Sequence, residues 1–198
     1  MRGLSGYLSS FWQCFFVLAA GWFVAGFLSP SLVMAQKAEV TDLVVNNTKQ
    51  DLVLYFSLDH AFRPEMEEGI DNGIPATFTF YVTLNEVVNE GGGRRAIASL
   101  TFDHTLSFDS LKQEYRVKCS ERQKTIAAPS RLEGKKLMNR VDGVRIASLG
   151  ILRPGQVYVV DVKARLERKT LPLFFHYLIP FWQLLDFDTD WNHVTFRY

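Results

Sequence analysis

The sequence predicts a mainly β protein, an antiparallel two-sheet sandwich with one or two short inserted helices. Three observations carry the prediction. Polar and apolar residues alternate with a period of two through most of the chain after residue 36. Turn-forming clusters separate the alternating runs. The strands do not take turns with long helical patterns, which would have built a parallel sheet.

The chain has 198 residues, 47% hydrophobic and 14% aromatic, enough for one globular domain plus a targeting segment. Residues 1–35 form the targeting segment and residues 36–198 a single domain. Arg2 is the only charged side chain up to Ala35, so the remainder balances 21 basic residues, one fewer than the full 22, against 21 acidic ones. A neutral domain without a basic stripe lacks the main electrostatic attraction for a phosphate backbone, so no nucleic-acid partner is expected.

The N-terminus begins with the short positive region of Arg2, and residues 11–28 are almost wholly apolar, as in a hydrophobic helix. Pro30 and the small-residue site Val33-Met34-Ala35 follow. The pattern is an export signal with cleavage after Ala35. An uncleaved N-terminal membrane anchor is the alternative, because the apolar run approaches the ~20 residues that span a bilayer. Either way the domain is expected in the periplasm or cell envelope. Cys14 follows Phe11-Trp12-Gln13 and does not fit a lipoprotein acylation site. Cys119 is then the single thiol of the exported part, which excludes a disulfide within the mature chain.

The first two strands contain Leu43 and Val45, then Leu52, Leu54 and Phe56, joined through Asn46-Asn47-Thr48-Lys49. A short helix is expected from Pro64 through Gly69, with Pro in its first turn and Glu65, Glu67 and Glu68 at the favourable end of its dipole. After Ile74-Pro75, Phe78, Phe80, Val82 and Leu84 face the core while Thr77, Thr79, Tyr81 and Thr83 face water. Gly91-Gly92-Gly93 with Arg94-Arg95 reads as a hairpin tip, since a phosphate loop needs a following Lys-Ser/Thr and a helix. The next strand aligns Leu100, Phe102, His104, Leu106 and Phe108, and His104 reads as a satisfied core or edge histidine, with no carboxylate or second histidine on its local face. Asp109-Ser110 turns the chain into residues 112–119, where Cys119 shares a face with Tyr115 and Val117 and reads as an inert buried thiol with no histidine near it in sequence.

Ser130 and Glu133 form a capping box that starts a helix of about three turns, running to Val141 and closed by Asp142-Gly143. Gly134 weakens that helix by up to ~1 kcal/mol. Val144, Ile146 and Ser148 resume the alternation. The stretch LRPGQVY then leads into Val160, Val162, Ala164 and Leu166. Leu152, Pro154, Gly155 and Tyr158 resemble the tyrosine corner of fibronectin type III and other immunoglobulin-like sandwiches, where the tyrosine hydroxyl bonds back to the upstream backbone. Seven or eight strands in all are expected, with the capped helix inserted at a sheet crossover.

The segment from Glu68-Gly69-Ile70 to Gly73-Ile74-Pro75, the run FDSLKQEYRV, LRPGQVY and Asp188-Thr189-Asp190-Trp191 together resemble the DUF4390 family, a bacterial envelope domain of unknown function. The resemblance covers most of the chain after the leader. It implies an envelope accessory role linked to a sensor kinase system, and no catalytic residues.

No Gly-x-Ser-x-Gly elbow or His-Glu-x-x-His is present, and His60, His104, His176 and His193 lack metal-ligand spacing. No cofactor is expected. Asp186, Asp188 and Asp190 imitate the start of a calcium loop, but Trp191 stands where the glycine belongs and Arg197 where the bidentate glutamate belongs. They read as a polar exit. As a helix, residues 171–185 would rise only ~22 Å, short of the ~30 Å bilayer core, and Pro172, His176 and Pro180 interrupt them. Phe174, Phe175, Tyr177, Phe181 and Trp182 of this loop either cover an open end of the core or contact a partner or membrane. The functional expectation is a non-enzymatic envelope module that contacts a membrane protein or other envelope component. The alternatives are a structural protein resting residues 171–185 on a membrane surface and, more weakly, a hydrolase using Asp188 and Asp190.

Overall fold

A computed structural model describes residues 37–88, 93–166 and 187–198, and the fold follows from these. Residues 1–36, with Cys14, residues 89–92, with the hairpin-tip Gly91 and Gly92, and the 167–186 segment, with Phe174, Phe175, Tyr177, Phe181, Trp182 and Asp186, lie outside the described residues. Among the described residues no helix is long and apolar enough to cross a membrane.

The described residues form nine strands and two α-helices: β1 (Glu39–Asn47), β2 (Asp51–Asp59), α1 (Pro64–Asp71), β3 (Ala76–Val87), β4 (Arg94–Asp109), β5 (Glu114–Cys119), β6 (Lys124–Ala128), α2 (Arg131–Asn139), β7 (Arg140–Ser148), β8 (Val157–Leu166) and β9 (Asn192–Arg197). One sheet has the order β1-β2-β7 and the other β6-β5-β4-β3-β8-β9. Every pairing is antiparallel. Their inner faces meet in one core, where Phe56 of the small sheet packs edge-on against Phe80 of the large one, ring centroids 5.4 Å apart. The alternation of β2, β3 and β8 supplies this core, because a period of two puts every second side chain on the same face.

Both helices carry the chain from one sheet to the other. Pro64 begins α1, and Gly73 at φ +86° ends it in a reversal where Ile74 N–H donates to the Gly69 carbonyl and Gly73 N–H to that of Ile70. Ser130 opens α2, its hydroxyl accepting from the Glu133 N–H at 3.3 Å, while the Glu133 carboxylate pairs with Lys136. Gly134 is a packing requirement of α2. A Cβ there would come within 2.8 Å of the buried Leu106 methyl, so glycine lets the helix lie close on β4 and β5.

Three local expectations change. The second helix does not run to Val141: it ends at Asn139, and Arg140 already pairs with Ser57, so the cross-strand ladder of β7 outcompetes another helical turn. Asp142-Gly143 consequently lies inside β7, at an irregularity where Gly143 takes φ +74° and Tyr55 packs against it. Second, the outward face of β3 is wet only in part: Thr77 and Thr79 are 3% and 5% exposed, while Tyr81 and Thr83 are half-buried. β3 sits centrally between β4 and β8, where Thr105 bonds Thr77 at 2.9 Å and Arg165 lies opposite Thr79. Long neighbouring side chains thus cover its outer surface. Third, the described residues hold nine strands, because the short β6 adds an edge to the large sheet.

Candidate functional site

The two ends of the sandwich differ in what joins them. At one end the described chain begins at Lys37, β8 stops at Leu166 and the chain resumes at Phe187. These points are tied together: Leu166 N–H donates to the Phe187 carbonyl at 3.1 Å, Thr189 N–H to the Ala164 carbonyl at 3.0 Å, and Lys37 pairs with Asp190 at 3.0 Å. The opposite end holds the β1–β2 turn, the Arg153–Gly155 turn and the C-terminal Tyr198, with Gly155 N–H donating to the Tyr198 carbonyl.

Asp188 and Asp190 belong to the first end but have separate partners. Asp188 lies 2.9 Å from Lys163 and 3.2 Å from Arg165, whereas Asp190 lies on Lys37. Burial pushes the Asp188 carboxyl up, but hydrogen bonds from Lys163 and Arg165 outweigh it and hold the group below the usual carboxylate range. A carboxyl so held is a poor proton donor. Trp191 is 52% exposed there, with the Lys163 ammonium 5.7 Å from its ring centroid.

A second constellation lies inside the domain. His104 on β4 stands directly across the ladder from Cys119 on β5, and a single 3-10 turn, Ser120–Arg122, swings Glu121 back over them. The histidine Nδ1 lies 2.8 Å from the Met138 carbonyl at the end of α2, and Nε2 lies 3.2 Å from Glu121 Oε1. The donor atoms of His104, Cys119 and Glu121 are all within 4.8 Å of one another. The side chains of His104 and Glu121 are 1% and 8% exposed. Burial alone would push the imidazole down. Hydrogen bonds to Cys119 and Glu121, the Coulombic attraction of Cys119 and the Met138 carbonyl outweigh it and carry it up to about 9. Burial would raise Glu121, but its hydrogen bond and charge interaction with His104 bring it below its ordinary value.

This changes the reading of two residues. His104 is buried and hydrogen-bonded, yet a carboxylate does reach it, and Cys119 does have a histidine beside it. Sequence reasoning looked for partners within each strand, while these come from across the ladder and from the turn after β5. Pairing residues 104 and 119 across the Asp109 turn was the one available signal, because a tight hairpin sets the register. Nothing local announced Glu121.

Tyr158 is 1% exposed, and its hydroxyl accepts the Arg153 N–H at 2.8 Å, five residues upstream across Pro154 and Gly155. Its ring stacks on Phe196 of β9. Tyr158→Phe keeps the packing but strands that amide, so it is expected to lower unfolding free energy by about 1–3 kcal/mol in urea titration. A loss below about 0.5 kcal/mol would show that the bond contributes little.

The architecture defines a two-sheet antiparallel β-sandwich domain. Residues 35–195 match the family model described as Domain of unknown function (DUF4390). The chain belongs to that family. No match was found among curated proteins or among solved structures.

Proposed function

We propose that this chain is an exported envelope protein whose sandwich acts as a non-catalytic interaction module, with the Lys37/Leu166/Phe187 end turned toward a membrane-protein partner. One observation carries the reading. The two oiliest stretches of sequence, 11–28 and 171–185, both connect to the same end of the domain, as the Lys37–Asp190 and Leu166–Phe187 contacts require. Trp191, exposed at that end, has the amphipathic ring that suits protein and membrane interfaces. Lys37, Lys163 and Arg165 are matched there by Asp188 and Asp190, which leaves little net positive charge to draw the domain onto anionic lipid. A protein partner is therefore favoured over a lipid surface.

The finer fold assignment is part of the same proposal. β1-β2-β7 opposed to β9-β8-β3-β4 corresponds to the strand arrangement of an immunoglobulin-like sandwich, and the Tyr158 bond at the start of β8 supports a tyrosine corner. Accessory action beside a sensor kinase is the process this family resemblance suggests.

Photo-crosslinkers placed at Trp191 and, at the opposite end, at Ile151, which is 51% exposed, test the proposal in intact cells. A discrete protein adduct from position 191 and none from position 151 is expected. Adducts with lipid alone from 191 would replace it with the membrane-surface reading, and equal adducts from both ends would overturn it. N-terminal sequencing distinguishes cleavage after Ala35 from a retained anchor. Asp188→Ala with Asp190→Ala is expected to complement a deletion fully, and failure with the protein folded and abundant would revive the hydrolase reading.

A further inference from the structure

We propose that His104, Cys119 and Glu121 form a structural metal site for a zinc-class divalent ion, closed between β4, β5 and the end of α2. The inference is independent of which partner the domain meets. It starts from the hydrogen positions that the geometry dictates. A carbonyl oxygen only accepts, so the 2.8 Å contact with Met138 puts a hydrogen on His104 Nδ1. In the neutral ring that leaves a lone pair on Nε2, facing the Glu121 carboxylate at 3.2 Å. Two acceptors in contact need a cation between them, either a proton or a metal ion.

A proton meets only part of the need. Glu121 Oε2 is buried without a hydrogen-bond partner, on a side chain that is 92% buried by its 8% exposure. The Cys119 sulfur, in a residue 4% exposed, points into the same space. One metal ion would take Nε2, the thiolate and the Glu121 carboxylate, a three-residue set of the N, S and O types that zinc accepts. Soft sulfur with imidazole selects against magnesium and calcium. Bond lengths of ~2.0 Å to nitrogen or oxygen and ~2.3 Å to sulfur place the atoms of different ligands about 3.3–3.5 Å apart around a tetrahedral ion. The observed donors, at 3.2 Å between His104 and Glu121 and within 4.8 Å overall, need side-chain adjustments of about 1 Å to close on an ion of that size. The Nδ1 bond to Met138 is the second support such a site requires, since a ligating histidine is held by the hydrogen bond of its other nitrogen. Burial of all three side chains leaves the ion no opening to a substrate, which points to a structural and not a catalytic role.

Cobalt(II) is the probe. The full chain, purified in detergent, reduced and stripped with chelator, is expected to take up one equivalent of Co(II), with the visible bands of a tetrahedral site and a thiolate-to-metal charge-transfer band that Zn(II) displaces. Cys14→Ser, which leaves Cys119 the only thiol, is expected to retain the charge-transfer band, and Cys119→Ser to abolish it. Glu121→Gln is expected to bind at least about tenfold more weakly with unchanged far-UV circular dichroism. No charge-transfer band in the Cys14→Ser chain overturns the proposal whatever the fate of the Cys119 variant. A band that survives Cys119→Ser overturns it as well.

Discussion

Phe80→Ala is expected to lower the unfolding free energy by about 3–5 kcal/mol, the range for truncating a fully buried aromatic residue. Phe80 is 0% exposed and lies in the middle of the central strand β3, with Phe102 and Ala164 beside it on β4 and β8. Its ring meets Phe56 across the sheet interface at 5.4 Å and stacks on Phe102 at 5.1 Å, while the His104 ring stands edge-on at 5.1 Å. The cavity would open where both sheets and the polar cluster converge, and backbone ladders on either side limit how far it can collapse. Against a typical domain stability of about 5–15 kcal/mol, this is enough to bring the protein close to unfolding. Urea titration followed by far-UV circular dichroism measures it, with Phe80→Leu as the milder comparison. A loss below about 1.5 kcal/mol for the alanine variant would mean that the sheets re-close over the gap.

His104→Leu is expected to cost about 3–5 kcal/mol, because it removes one partner of a buried pair and leaves the other charge unmatched. The Glu121 carboxylate stays buried, and the Met138 carbonyl loses its donor. Arg122, 3.5 Å from Glu121 and partly exposed, replaces only part of the lost interaction. The double variant His104→Leu/Glu121→Leu should recover most of the loss, since an apolar pair no longer strands a charge. A double variant as unstable as the single one would show that the loss came from packing.

The pH dependence separates these causes further. In the chelated protein the folded imidazole keeps its proton to about pH 9, against an ordinary value of 6.5, so its contribution to stability is complete below 6.5. It falls as pH rises through 6.5 to 9 and is gone above that window, a change of about 3 kcal/mol at ~1.36 kcal/mol per decade. Glu121 acts in the opposite direction. Its lowered pKa contributes above the unfolded value of 4.5 and is lost as pH falls through the folded value. Urea midpoints of the chelated wild type are therefore expected to drop between pH 6 and pH 9.5, with a flatter profile in His104→Leu. Parallel profiles would sever the link between this histidine and the alkaline loss.

Much of the fold was legible because its causes are local. Phe78, Phe80, Val82 and Leu84 alternate with threonines, and that spacing specifies a strand and its inner face before any neighbour is known. Pro64 and Ser130 announce helix starts through groups they remove or satisfy within one turn. Helix ends were less secure. Asp142-Gly143 has the chemistry of a stop, but Arg140 was drawn into pairing with Ser57, more than eighty positions earlier, and the ladder took over two residues sooner than the local signal indicated.

The chemistry was less legible than the scaffold. His104, Cys119 and Glu121 belong to a strand, its hairpin partner and a turn, and no spacing rule joins those three positions. Likewise, the outer face of β3 looked wet because threonines are polar, and its Thr77 and Thr79 are buried because β3 lies inside a six-stranded sheet. Residue-by-residue alternation and capping set the strands, the helix starts and the two-sheet architecture, since they act over one or two turns of chain. Strand order and register set which polar atoms share a dry space and which end of the domain holds Lys37, Leu166 and Phe187 together. These depend on contacts between residues far apart in the chain, so their chemistry exists only once the sheets have closed.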